Sequence, residues 1–265
     1  MTDSASLVFL VGTVLVSSLR EPADRLMSPE AAERVGAEVV VVGLSSLDQQ
    51  LLDAVQRGDV AGVEAALGQG ANVDAGDGYR GYGVAIATAQ GNRQILQRLV
   101  SQGANVNVIG TDGQTPLSKA VEMGNADLVE ILVGAGADPD VTSAYRPSPI
   151  YRATETGNVE LVRLLMQAGA NPNISNIDTT ALYRAIETGN ATITRLLLSG
   201  GANPNQMVQG MAPLYRAVET GNADLVRLLM QNGANPQVRS RGRSALTIAQ
   251  EQGNTTIVNL LRQVP

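Results

Sequence analysis

A Tyr-Arg-x-x-Glu pattern recurs three times at a fixed spacing: Tyr151-Arg152 with Glu155, Tyr183-Arg184 with Glu187, and Tyr215-Arg216 with Glu219. One unit earlier, Lys119 and Glu122 hold the same two charged positions. A second basic group, Arg239, Arg241 and Arg243, is interleaved with Ser240 and Gly242. Guanidinium groups present planar, paired donors that fit carboxylates, and they stack on rings. Tyr and Arg are both enriched where protein surfaces bind tightly. The chemistry these residues suit is therefore recognition.

Two readings of the charged row stay open. In one, each Arg pairs with the Glu three residues on, or with a Glu of the next unit, and the face neutralises itself. Such exposed pairs are worth about 0–1 kcal/mol each. In the other, the row is a contact surface. Two local rules are broken in its favour: each Glu stands at the negative end of a short helix, and the basic-then-acidic order is the weaker one for a helical pair. The tyrosines likewise are either rings packed between units or part of a Tyr-Arg platform. The Arg239–Arg243 stretch is either a solvated turn or an anchor for an acidic partner, phosphate or RNA. It lacks the interleaved aromatic residues that single-stranded nucleic acid requires.

Composition excludes much else. Among 265 residues there is no His, Cys or Trp. A Ser-His-Asp or Cys-His machine is impossible, and so is a zinc site built on thiolates or imidazoles. Disulfides are excluded. Asp and Glu recur with the repeat rather than converging on one place. The Gly-x-Gly steps at 76–78 and 134–136 are too short and misplaced to cradle a phosphate. No enzymatic activity, no cofactor and no metal is expected. A net charge of −6 argues against a nucleic-acid partner. Charge is uneven: residues 1–140 carry 18 acids and 8 bases, and residues 141–265 carry 7 acids and 11 bases.

The elements that position these residues repeat. Gly-Asn recurs at 91–92, 124–125, 157–158, 189–190, 221–222 and 253–254, at intervals of 33 or 32 residues. Gly-Ala-Asn or Gly-Ala-Asp keeps the same period from 70–72 to 233–235. Segments 149–171 and 213–235 are identical at 18 of 23 positions. In one unit, Pro213 suits the first turn of a helix, and Leu214, Ala217 and Val218 make one apolar face. Gly221 ends that helix, and Asp224 lies at the positive end of the next. Leu225, Val226, Leu228, Leu229 and Met230 form a wide apolar stripe, which Gly233 closes. Asn235-Pro236 then leads into a loop. A single unit cannot bury its stripe, whereas stacked units can.

These units resemble ankyrin repeats. The family pattern, about Gly-x-Thr-Pro-Leu-His followed by an Ile/Leu-rich helix and Gly-Ala-Asp/Asn, is met by Gly-Gln-Thr-Pro-Leu-Ser at 113–118. It recurs as Ser-Pro-Ile-Tyr (148–151), Thr-Ala-Leu-Tyr (180–183), Ala-Pro-Leu-Tyr (212–215) and Ser-Ala-Leu-Thr (244–247). The His of the pattern is replaced by Tyr, Ser or Thr. The resemblance implies an all-α solenoid of stacked helix-turn-helix units with finger loops, preceded by a short non-repeat segment. The expected organisation is an N-terminal extension over 1–44 and a repeat domain over 45–265. Within that domain, an opening repeat at 45–75 is followed by repeats to 252 and a closing helix at 253–265. By position in the family, Lys119, Arg152, Arg184 and Arg216 face the concave side, beside a parallel row of Glu. Three such Arg on adjacent units would span roughly 20 Å. The glycine-rich stretch 76–82 is either mobile or a contact tip.

Residues 1–44 lie outside the repeat. Leu7–Leu19 is apolar but short for a membrane span, and no Lys or Arg precedes it. Ser28-Pro29-Glu30 reads as a helix start and Val39–Val42 as a strand, so a strand–helix–strand is one reading. A loose extension, or a true start at Met27, is the other. The resemblance implies a cytoplasmic monomer that binds another protein, with an acidic surface, through the concave face and fingers. The residues expected to carry this are those of the charged row, the tyrosines and the last finger. Two alternatives remain: a membrane-tethered or exported repeat protein using residues 1–26 as its targeting element, and a regulatory subunit of a separate enzyme.

Overall fold

The structure is a computed structural model that describes residues 6–10, 13–16, 38–41, 44–77, 79–141, 146–175 and 179–262. The apolar start divides into two strands, β1 (Ser6–Leu10) and β2 (Thr13–Val16). They pair antiparallel with Leu7 opposite Val16 and Leu10 opposite Thr13. A third strand, β3 (Glu38–Val41), joins β1 in parallel, Ser6 opposite Glu38, so the order is β2-β1-β3. The strand expected at Val39–Val42 is thus present, one residue earlier. The expected helix start at Ser28 and the start at Met27 lie outside the described residues.

From Ser46 onward the chain is helical. The helices are α1 (Ser46–Arg57), α2 (Val60–Gly68), α3 (Gly83–Ala89), α4 (Arg93–Ser101), α5 (Pro116–Glu122), α6 (Ala126–Gly134), α7 (Pro149–Glu155), α8 (Val159–Gln167), α9 (Ala181–Glu187), α10 (Ala191–Ser199), α11 (Pro213–Glu219), α12 (Ala223–Gln231), α13 (Ala245–Glu251) and α14 (Thr255–Arg262). Between α2 and α3 lies a small hairpin, β4 (Gly76–Asp77) with β5 (Gly81–Tyr82). Between α12 and α13 lies another, β6 (Arg239–Ser240) with β7 (Arg243–Ser244).

Local chemistry sets these boundaries. The hydroxyls of Thr115, Ser148, Thr180 and Ser244 cap the first helix of their units, each accepting the backbone N–H three residues on. The Asn of each Gly-Asn step caps the second helix in the same way, from Asn92 to Asn222. The Gly before it ends the first helix in a left-handed conformation; Gly189 has φ 70°. First helices pack on first helices and second on second along the stack. The core is one continuous cluster, running from Leu51 and Val55 through Ile150, Leu161 and Leu165 to Ile257 and Leu261. Small residues at the helix crossings, Ala153, Ala185 and Ala217, are fully buried.

A second device joins the units at the base of the loops. Side chains of Asp48, Asp74, Asn107, Asp140, Asn173 and Asn205 accept the backbone N–H of Asn72, Asn105, Asp138, Asn171, Asn203 and Asn235, all at 2.7–2.9 Å. The first rung closes within the opening unit, and each of the others reaches one unit ahead. The position after Asn205 is Gln237, and no Gly-Ala-Asn follows it to receive a bond.

Asp48 opens this ladder and also completes a capping box with Ser45. Burial works against its charge, but hydrogen bonds from the Asn72 N–H and from Ser45 outweigh it and hold the carboxyl below its usual range. A carboxyl whose folded pKa is depressed stabilises fully above the unfolded pKa and loses that contribution as pH falls through the folded value. The opening helix pair should therefore loosen first as pH drops below about 4. Amide exchange at Asn72 checks this: its protection factor, the rate corrected for the intrinsic pH dependence of exchange, should fall with acid in the native chain and stay nearly flat in Asp48→Asn. Equal acid sensitivity in both would refute the assignment.

Candidate functional site

The first helices α5, α7, α9 and α11 place their base in mid-helix and their Glu at the last residue, so both rows lie on one side of the stack. Arg152 Nη1 meets Glu155 Oε2 at 2.7 Å, Arg184 Nη1 meets Glu187 Oε2 at 3.4 Å, and Arg216 Nη1 meets Glu219 Oε2 at 3.2 Å. Arg216 also reaches back a unit, its Nη2 lying 3.3 Å from Glu187 Oε1. The pairing along the row is therefore mostly within units, with one bridge between them.

Lys119 stands 3.6 Å from Asp112 and 3.9 Å from Glu122. Glu122 is the most heavily held carboxylate. It accepts a 2.6 Å hydrogen bond from Gln114 Nε2 and faces Arg146 at 3.6 Å. The Gln114 bond, with Lys119, Arg146 and Arg152 behind it, keeps its pKa low. Gln114, Ser118, Glu122, Arg146, Pro147 and Arg152 line an open groove of about 290 Å³. Gln114 and Arg146 were not legible as site residues. Both stand just ahead of a helix cap, Thr115 or Ser148, and they reach Glu122 across the fold rather than through helical spacing.

Side chains of the Arg-Glu row from Arg152 to Glu219 are 28–41% exposed, so the pairs are solvated on one side. On the other side, Nε of Arg184 and of Arg216 is buried without a hydrogen-bond partner. The tyrosines lie deeper. Tyr183 and Tyr215 are 3% and 2% exposed, and Tyr151 is half-buried. Burial pushes the phenols of Tyr151 and Tyr183 up. The Tyr183 hydroxyl donates to Met211 Sδ at 3.7 Å. These rings occupy the layer between units, and Tyr151 presents the most surface.

At the last finger, Arg239, Arg241 and Arg243 are all exposed on the β6–β7 hairpin. Arg243 pairs with Glu251, and Arg239 donates to the Gly242 carbonyl at 3.4 Å. The glycine-rich stretch forms the β4–β5 hairpin, with Tyr79 at its tip 91% exposed. Gly76 is required there, because a Cβ would lie 2.5 Å from the Tyr82 ring. Among the described residues no cluster of acids suits a metal ion, and no helix is long and apolar enough to cross a membrane.

The repeat geometry has a family. The model for ankyrin repeats matches residues 51–143, 124–208 and 201–264, and the chain belongs to the ankyrin-repeat family. Ankyrin repeats are in general modules of protein–protein interaction, typically without enzymatic activity. The chain is similar to an ankyrin repeat domain from Acinetobacter baumannii, at 32% identity and TM-score 0.63, covering 70% of this chain and 98% of that one. It is also similar to the human ASB11 ankyrin repeat domain, at 28% identity and TM-score 0.58, covering 81% and 98%. The ankyrin repeat domain of Bcl-3, a member of the IκB protein family, shares the fold at 24% identity and TM-score 0.66, covering 80% and 97%. No match was found among curated proteins.

Proposed function

We propose that residues 45–265 bind another protein through the face of the first helices and the finger loops, and that the chain carries out no reaction itself. The observation that supports this is the row of half-exposed guanidinium–carboxylate pairs on consecutive units. The row gives the stack little stability, since such pairs are worth about 0–1 kcal/mol each. It does give a regular, rigid array of charge on helices, where side chains are better positioned than on loops. The contact residues proposed are Lys119, Arg152, Glu155, Arg184, Glu187, Arg216 and Glu219, with Tyr151 flanking them and Tyr183 and Tyr215 shaping the layer beneath. The basic C-terminal part, with 11 bases to 7 acids over 141–265, draws an acidic partner.

The test replaces Arg152, Arg184 and Arg216 together by Gln in the full chain. Partners captured from the native lysate by the unaltered chain are identified, purified and titrated against both forms. Affinity is expected to fall at least about tenfold for the triple variant. Its unfolding free energy should fall by no more than about 4 kcal/mol, the upper value for each of the four exposed pairs removed. Equal affinity of both forms for every captured partner would sink the row as a binding face.

A further inference from the structure

The last finger combines three features. It is a two-residue hairpin whose turn residues, Arg241 and Gly242, both have positive φ, 52° and 78°. This turn favours Asn, Asp or Gly at its first position, because larger side chains are strained there. The finger before it makes the same turn with Gln209 and Gly210, at φ 48° and 76°. The turn is therefore shared scaffold, and a basic tip without an ion pair among the described residues is what sets the last finger apart.

Second, that charge is uncommitted. Arg243 is paired with Glu251, but Arg241 has no ion pair or hydrogen bond among the described residues. Earlier loops are mixed: they carry acids at Asp74, Asp112 and Asp140, and bases at Arg80 and Arg146 that pair with Asp53 and Glu122. Third, the hairpin is pinned. Ser240 is 0% exposed, and its hydroxyl accepts the N–H of Ala212 at 3.1 Å. Ala212 heads α11 without a side-chain cap of its own, so the bond serves both units. A charged tip on a fixed hairpin loses little freedom on binding. Beside it, Arg216, Arg243, Ile248 and Glu251 line an open groove of about 400 Å³.

We infer that the β6–β7 hairpin is the anchor for an acidic, extended segment of the protein partner: Arg241 and Arg239 take its carboxylates, and the groove above Ile248 takes the side chain that follows. This deepens the binding-face reading, on which it rests, and names the chemistry of the occupant. Arg is suited to the task because its fork meets a carboxylate with two parallel bonds.

The probe is a fluorescein-labelled octaglutamate peptide, titrated against the full chain by anisotropy at low ionic strength, with octalysine as the control. Octaglutamate should bind and octalysine should not. Arg241→Gly should weaken octaglutamate at least about tenfold, the scale of one charge-assisted contact. The same variant should melt at the same temperature or higher, because Gly relieves the left-handed backbone. A variant that binds as before, or a native chain that ignores octaglutamate, overturns the anchor. Displacement by inorganic phosphate at equal total charge would show a small-anion site instead. Salt-sensitive oligomers of the native chain, lost in Arg241→Gly, would make a second copy the occupant; both outcomes also overturn it. A double variant, Arg152→Gln with Arg184→Gln, leaves Arg216 and its groove in place and separates the two proposals. If it keeps octaglutamate binding but loses the protein partner, the finger and the row act independently. If it keeps both, the row fails while the anchor stands.

Discussion

Leu165→Ala should lower the stability of the stack by about 2–5 kcal/mol, the usual cost of emptying a fully packed leucine site. Leu165 lies on α8 with 0% exposure, and it belongs to the single core cluster that runs through the units. Helix α8 packs on α6 before it and on α10 after it, so the lost methyl groups weaken two unit boundaries at once. In a solenoid, stability is close to a sum of unit terms and nearest-neighbour terms. A defect in the middle therefore does more than subtract energy: it divides the cooperative array. Urea unfolding of the variant should split into two transitions, the basic C-terminal units separating from the opening ones. Ile257→Ala makes the same kind of cavity on α14, at 0% exposure, but among the described residues α14 has one adjoining unit, through α12. That variant should keep a single main transition with a frayed end. A single transition for Leu165→Ala, with a loss below about 1 kcal/mol, would contradict nearest-neighbour coupling in this chain.

The parts of the fold that read directly from the residues are those fixed by short-range sterics. Gly221 and Gly233 mark helix ends because only glycine takes a left-handed backbone without strain, and Pro213 marks a helix start because its missing N–H is not needed there. The three-residue spacing of Arg and Glu within a helix likewise foretold neighbours, and they are neighbours. Other features depend on distances across units. The Arg216–Glu187 bridge needs a particular twist between stacked helices, which no local pattern encodes. A Tyr on a helix flank can point its ring inward or outward, and the packing of the next unit decides; Tyr183 and Tyr215 go inward. The Gly-Asn step was legible as a period, but Asn looks the same whether it merely turns the chain or caps α12, as Asn222 does. Leu7–Leu19 has a length that suits several fates; its two strands pair with each other, and the sheet is completed on the far edge of β1 by Glu38–Val41, a partner far along the chain.

The loop-base ladder is the other place where one side chain carries much of the structure. Asn173 uses all of its amide. Its Oδ1 accepts the Asn203 N–H at 2.7 Å, and its Nδ2 donates to the Gly201 carbonyl at 3.0 Å. Asn107 and Asn205 do the same toward Gly136 and Gly233. At the other rungs, Asp48, Asp74 and Asp140, the side chain can only accept, so the chain itself contains both versions of the joint. Each hydrogen bond of this kind contributes about 0.5–1.5 kcal/mol net. Asn173→Asp keeps the acceptor and loses the donor, and should cost about one such bond. Asn173→Ala loses both and leaves the Asn203 N–H to find water at the loop base; about 1–3 kcal/mol is expected. Native-state amide exchange separates this from a general loosening. The Asn203 amide should lose protection in Asn173→Ala and keep it in Asn173→Asp, with the Asn171 amide, held by Asp140, unchanged in both. If Asn203 stays protected in the alanine variant, the rung is a by-product of the stacking rather than a cause of it. The units would then be held in register by their helices alone.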